Sequence, residues 1–328
     1  MTNGIQKSFI HIGKEIQFSL KKDVPKLISK KSVDKTNKRK ANTMKFAIYL
    51  PNFGPFGDAR VISDWALAAE NAGWDGFFIW DHLTRAWPAD AADPWIALSA
   101  AAVQTQRVRL GAMVTPLARR RPWKVAREAE SLDRLSGGRL VLGVGLGSSG
   151  GASVEWDNFG EEMDLKMRAG MLDEALEIID GLWSGQPFSL KGKHYQVKES
   201  QFLPKPLQLP RIPVWVAGYW PNRAPFRRMA RWDGMFPQFQ SAVPDEMAAL
   251  SEAIRYTLSH RMNTQPFEVV YSVSPEKAAN LAGGFASIGV TWLLVELYPV
   301  HFGSGWQDAV WPLDAMREHL EAGPPTIE

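Results

Sequence analysis

Eight β-rich runs alternating with helical patterns predict an α/β chain folded as a (β/α)8 (TIM) barrel, with insertions after the fourth strand and after the fourth helix. Three observations carry this. The alternation is regular from Met44 almost to the end of the chain. The strand-like runs are continuous in hydrophobicity, clearest in GFFIW at residues 76–80, as suits strands buried on both faces of a parallel sheet. The roughly 285 residues from Met44 onward also match the length of one closed barrel. A doubly wound open sheet is the alternative arrangement of the same units.

Each element has its own signals. Lys45–Leu50 (KFAIYL) reads as the first strand, closed by Pro51 and Gly54. Asp58 is placed to cap a helix carrying Ile62, Trp65, Ala69 and Ala72 on one face, and Gly73 stops it. After the strand 76–80, a helix over Pro94–Val103 leads to a strand at Val108–Val114. Pro122 opens the next helix, which ends at Gly137-Gly138. Arg139–Leu146 (RLVLGVGL) is the fourth strand, and Leu165–Trp183 the fourth helix, with Leu172, Ala175, Leu176, Ile179 and Leu182 in phase. The remaining strands are Val214–Ala217, a short Gly234–Phe236, Phe267–Val273 and Val290–Leu297. Helices at Asp245–Leu258, Pro275–Ile288 and Asp308–Leu320 alternate with them, and Pro221-Asn222 opens a short helix after the fifth strand. Two segments exceed ordinary loop length: Gly147–Asp164, and Ser184–Pro213 with a hairpin of Phe188–Leu190 and His194–Val197.

Charge divides the chain into two parts. Residues 1–43 hold ten lysines and one arginine against Glu15, Asp23 and Asp34, whereas 44–328 carry 27 basic and 32 acidic residues. The first part reads as a basic, disordered extension and the second as the barrel. A mildly acidic body offers no basic face for nucleic acid. There is no cysteine, which excludes disulfides, thiolate metal sites and a thiol nucleophile. No apolar run approaches the roughly 18 residues that span a bilayer. The lack of cysteine fits a reducing compartment, and the expectation is a cytoplasmic enzyme acting on a small molecule.

Chemistry belongs at the carboxyl ends of the strands. Asp81-His82 closes the second strand, and His82 is suited to proton transfer near neutral pH; a structural ion pair is the alternative reading. Gly143-Val144-Gly145-Leu146-Gly147 is not a dinucleotide fingerprint, but it lets a ligand approach the backbone closely. His301, after the last strand, is a second candidate. Arg119-Arg120-Arg121 suits an anion or a solvated surface equally and is not assigned. No grouping of histidines and carboxylates has metal-ligand spacing. The 14 tryptophans, Trp80, Trp87, Trp156 and Trp220 among them, offer flat walls for a planar cofactor as well as ordinary core.

A series of motifs then runs in order: KFAIYLPNFGPFGD, AENAGWDGFFIWDH, RVRLGAMVTPL, LDRLSGGRLVLGVGLG, FGE at 159–161, LDEALEIIDGLWSG, the hairpin, and PRIPVWVAG at 210–218. Over residues 44–320 the chain resembles the bacterial luciferase-like flavin-dependent oxidoreductases, a barrel group with both flavin and deazaflavin (coenzyme F420) members. The resemblance implies a non-proline cis peptide at Ala112-Met113 against the cofactor ring, with Gly145 and Gly147 flanking it. It implies that Ala217, Gly218 and Tyr219 approach the cofactor's phosphate side, and that His82 stands near the reactive ring edge with Asp81 beside it. Two departures narrow the activity. Ser148 stands where sugar-phosphate dehydrogenases of the group carry a glutamate, and Asp81 differs from the arrangement in true luciferases.

The implied function is oxidoreduction of a small organic substrate. First comes a two-component monooxygenase using reduced FMN from a separate reductase; the alternative is hydride transfer with F420, and the third reading is a non-catalytic flavin-binding protein. A flavin or F420 reductase is the implied partner, and a homodimer is compatible with the group.

Overall fold

The computed structural model describes residues 44–147, 154–240 and 244–327. The expectations about the extension 1–43 and about Ser148 lie outside these residues.

Strand β1 (Lys45–Leu50) is followed by helix α1 (Ala59–Asn71), whose first turn is capped by the Asp58 carboxylate accepting from the Arg60 amide at 2.8 Å. Then come β2 (Gly76–Ile79), α2 (Pro94–Gln104), β3 (Arg109–Ala112), β4 (Thr115–Pro116) and α3 (Pro122–Leu135). Strand β5 (Leu142–Gly145) leads through a four-residue α4 (Val154–Asp157) to α5 (Leu165–Trp183). The hairpin β6 (Phe188–Lys191) and β7 (Gln196–Ser200) precedes β8 (Val214–Trp220), α6 (Arg223–Met229), β9 (Gly234–Phe239) and α7 (Glu246–Ser259). The chain finishes with β10 (Glu268–Val273), α8 (Pro275–Ser287), β11 (Trp292–Glu296) and α9 (Leu313–Glu321).

The large sheet runs β3-β2-β1-β11-β10-β9-β8-β5-β4, every pair parallel. Its two ends, β3 and β4, are successive pieces of one stave, so the order closes on itself. Leu110 bridges Leu140 across the seam, with the Val141 amide donating to the Leu110 carbonyl at 2.8 Å. This is the predicted barrel of eight staves. One apolar layer lies between sheet and helices. A second fills the barrel, where Phe78, Trp215 and Trp292 meet with ring centroids 5.4–6.0 Å apart.

Several boundaries differ from expectation. The third strand splits, and its cis peptide is Met113-Val114 rather than Ala112-Met113. The ladder explains the one-residue offset. Arg109–Ala112 pairs β2 and the Met113 amide still donates to Ile79 at 2.8 Å, so the backbone turns only after Met113, toward β5. The final helix begins at Leu313, not Asp308, because Trp311 precedes Pro312 and is excluded from helical backbone. The hairpin's second arm starts at Gln196 because its tip is held elsewhere. The Glu174 carboxylate of α5 accepts from the amides of Lys193, His194 and Tyr195 at 2.8–2.9 Å. Strand β8 continues through Gly218 and Tyr219, which pair with Pro237 and Gln238 of β9.

Candidate active site

A cavity of about 420 Å³ opens at the carboxyl ends of the staves. Asp81, His82, Met113, Gly145, Gly147, Ala217, Gly218 and Tyr219 all line it. Ala112 does not; it sits one residue deeper, its carbonyl against Gly143. His301 is drawn to Glu296, with Nε2 3.0 Å from Oε2, and stacks on Tyr298.

One part of the lining is apolar: Met113, Val114, Gly145, Leu146 and Ala217. Behind it, the Tyr49 hydroxyl donates to the Met113 carbonyl, fixing the peptide that turns the strand. Tyr298 accepts from Trp80 Nε1 at 2.9 Å. Burial, reinforced by the nearby Glu296 charge, pushes both tyrosines far above the ordinary phenol range, so they act as neutral hydrogen-bonding groups. Gly147 has φ +79°, and a Cβ there would overlap the Trp156 ring, so glycine is required on both counts. Gly218 faces α6, where a Cβ would overlap Pro225.

Another part of the lining is ionic, with Asp81, His82, Arg85 and Glu155 at the cavity and two arginines behind them. Arg119 and Arg120, unassigned from sequence, turn inward from the segment after β4. Arg120 holds both Asp81 oxygens at 2.9 and 3.0 Å, and Arg119 holds Oδ1 at 3.0 Å. The Asp81 side chain is wholly buried and ion-paired. Arg119 also reaches Glu155 Oε2 at 2.7 Å. Glu155, from α4 in the long insertion, escaped the sequence reading altogether. Its other oxygen takes His82 Nδ1 at 3.1 Å and the amides of Leu83 and Thr84 at 2.5 and 3.2 Å. Burial raises the Glu155 pKa, but the hydrogen bond from His82, the Arg119 charge and the Thr84 amide outweigh it and hold the carboxyl below its usual range.

These contacts fix the tautomer of His82. Arg85 Nη1 lies 3.2 Å from His82 Nε2. A guanidinium only donates, so Nε2 accepts and the ring proton sits on Nδ1, donated to Glu155. His82 Nε2 thus accepts from Arg85 while its far side is anchored by Glu155. Asn52 fixes its backbone as well, donating to the His82 carbonyl at 2.8 Å and accepting from its amide at 3.1 Å.

The cavity suits a tricyclic flavin-type ring. Its volume falls in the range of about 300–1,000 Å³ usual for cofactor pockets, and its lining joins an apolar part to convergent polar groups. Among the described residues no group of three or more histidines and carboxylates is placed to hold a metal. Nor is any described helix long and apolar enough to cross a membrane.

Residues 44–279 match the luciferase-like monooxygenase family. An F420-dependent glucose-6-phosphate dehydrogenase of Beutenbergia cavernae is 35% identical over 172 residues, 50% of this chain and 48% of that protein. The chain therefore spans about half the length of such curated relatives. Monooxygenase RslO1 of Streptomyces bottropensis superposes with a TM-score of 0.65 at 19% identity, covering 85% of this chain and 97% of that one. The coenzyme F420 dependent tetrahydromethanopterin reductase of Methanopyrus kandleri gives 0.64 at 16%, again over 85% and 97%. At such identities the two structures speak for the fold.

Proposed function

The chain belongs to the luciferase-like monooxygenase family, and from that premise we propose that it is an oxidoreductase moving a hydride between F420 and a small organic substrate. The observation that carries this is the His82–Glu155 pair: an imidazole lining the cavity, with Nδ1 held by a buried carboxylate and Nε2 3.2 Å from the Arg85 guanidinium. Hydride removal from an alcohol carbon leaves a hydroxyl proton to be taken up, and a positioned imidazole does that. The 35% identity with an F420-dependent dehydrogenase supports the same cofactor. Reduced FMN, the first expectation from the sequence, is the second reading here, because the curated relative at 35% identity is F420-dependent.

When bound, the cofactor supplies the hydride acceptor or donor. The protein's residues would do the rest. Met113, Val114, Gly145 and Ala217 would seat the ring, and Gly218 and Tyr219 would border its phosphate-bearing side. His82 Nε2 would accept the substrate proton in place of the Arg85 N–H bond it accepts here, while Glu155 keeps the ring oriented and Arg119 holds Glu155. Trp80 and Leu146 would keep water from the reacting carbon.

Titration of the purified full chain with F420 and with FMN, read by absorbance and by tryptophan quenching, tests the proposal. Tight F420 binding with FMN at least tenfold weaker is expected. A clear preference for FMN would overturn the cofactor assignment, and binding of neither would overturn the proposed function.

A further inference from the structure

Arg85 sets the charge balance of this cavity. The two carboxylates of the ionic wall are already matched: Asp81 by Arg120 and Arg119, Glu155 by Arg119. Arg228, which also lines the cavity, is paired with Asp173 at 2.7 Å. Among the described residues Arg85 has no carboxylate within ion-pair distance. It is nevertheless held in place. Its guanidinium stacks on Phe53 and Trp87, with centroids 4.7 and 4.6 Å away, and Nη1 is tied to His82. Its Nε is shielded from solvent with no hydrogen-bond partner. Burial lowers its pKa from the usual value, partly offset by the nearby Glu155 charge, consistent with a cation short of compensation.

A stacked, immobilised guanidinium with a free N–H edge presents the planar fork that carboxylates fit. Leaving it unpaired costs desolvation that a bound anion would recover. Position adds a constraint. Nη1 is 3.2 Å from the nitrogen proposed to take the substrate proton, so an anion on this fork lies within a few bonds of the reacting centre. The aromatic faces that clamp Arg85 also line a second cavity of about 540 Å³ with Trp306 and Trp311.

We propose that Arg85 is the substrate-anchoring residue and that the substrate is an organic acid, a carboxylate on an apolar body with its reacting hydroxyl close to the carboxylate. This deepens the proposed hydride transfer and rests on it for the role of His82; the anion site itself stands on Arg85 alone.

The test uses the full chain, with and without F420, and acetate, benzoate and mandelate, each against its uncharged amide. Tryptophan quenching and thermal shift are the readouts, so binding is seen whether or not a cofactor is taken up. Wild type is expected to prefer at least one acid over its amide by tenfold or more. Arg85→Gln should abolish that preference while F420 affinity stays within twofold. Arg85→Lys, which keeps charge without the fork, should retain a smaller preference and checks that the site remains folded. Wild type binding no acid, no preference for acid over amide, or a preference that survives in Arg85→Gln would each overturn the proposal. So would loss of F420 binding in place of acid binding, since the anion on Arg85 would then be the cofactor's own. Failure of both F420 and FMN to bind, with acid selectivity intact, would instead overturn the redox reading and leave the acid site standing.

Discussion

In the proposed reaction His82 acts from a position that Glu155, Arg85 and Asn52 hold. The sequence placed it at a strand end beside Asp81, but Asp81 is fully engaged by two arginines, and the partner that orients the imidazole is Glu155, 73 residues away. His82→Gln is expected to lower turnover by roughly 10²–10⁴-fold while F420 affinity and melting temperature change little. A variant that melts early but turns over normally would make His82 structural. Glu155 is a positioning residue, and its loss should register mainly in kcat, with KM near wild type. Glu155→Asp, keeping the charge, should recover part of the activity lost in Glu155→Gln. Because Glu155→Gln leaves Arg119 short of a partner in a buried pair, it should also destabilise by about 3–5 kcal/mol, measured by denaturant unfolding. A large KM effect with unchanged kcat would place Glu155 in binding instead.

Strand and helix ends decide what the backbone can do. Gly218 was expected just past the fifth barrel strand, in a turn of free amides. It lies instead inside β8, paired to β9, with α6 pressed against it. Its small size therefore serves strand-to-helix contact whatever else it does. Gly218→Ala is expected to cost about 1–3 kcal/mol by overpacking. If the backbone there also meets a phosphate, the same variant should weaken FMN more than riboflavin, and equal losses would leave only the packing role. At the opposite end of the barrel, Arg139 ties α2 to α3. Its guanidinium donates to the carbonyls of Ala102, Thr105, Val108 and Ser136 at 2.6–3.0 Å. Arg139→Met should cost at least about 2 kcal/mol by leaving those carbonyls unpaired. Cofactor titration should be unaffected, because the amino-terminal face of a barrel contributes stability rather than catalysis.

Acid sensitivity belongs to the molecule as a whole. Buried Glu70 accepts from the amides of Gln106, Arg107 and Val108 at 2.6–3.0 Å, joining α1 to the entrance of β3. Burial raises its pKa, but these amides prevail and hold it below the usual glutamate value. With the folded-state pKa below that of the unfolded chain, its contribution is complete above about pH 4.3 and vanishes as the pH falls through the folded value. Glu155 and Glu174, also lowered, act in the same sense. Thermal melts between about pH 3 and 7 should therefore fall on the acid side, and Glu70→Gln should flatten that fall while lowering the neutral-pH melting temperature. An unchanged acid limb would show that other groups control it.

The sequence by itself determined the barrel, its insertions and most of one wall of the site. Those features are local: hydrophobic runs, the cap at Asp58, stops at Gly73 and Gly137, and glycines at a strand end are written in neighbouring residues. Boundaries moved where a distant partner overrode local preference, as Glu174 does at the hairpin tip and β9 does for β8. The ionic wall was decided only by tertiary structure. Glu155 sits in an insertion with no periodicity to mark it, and an Arg119-Arg120-Arg121 run reads alike on a surface or turned inward. Which way such side chains point depends on whether closure of the ring brings a carboxylate within reach. That is a property of strand order around the barrel, and no local run of residues encodes it.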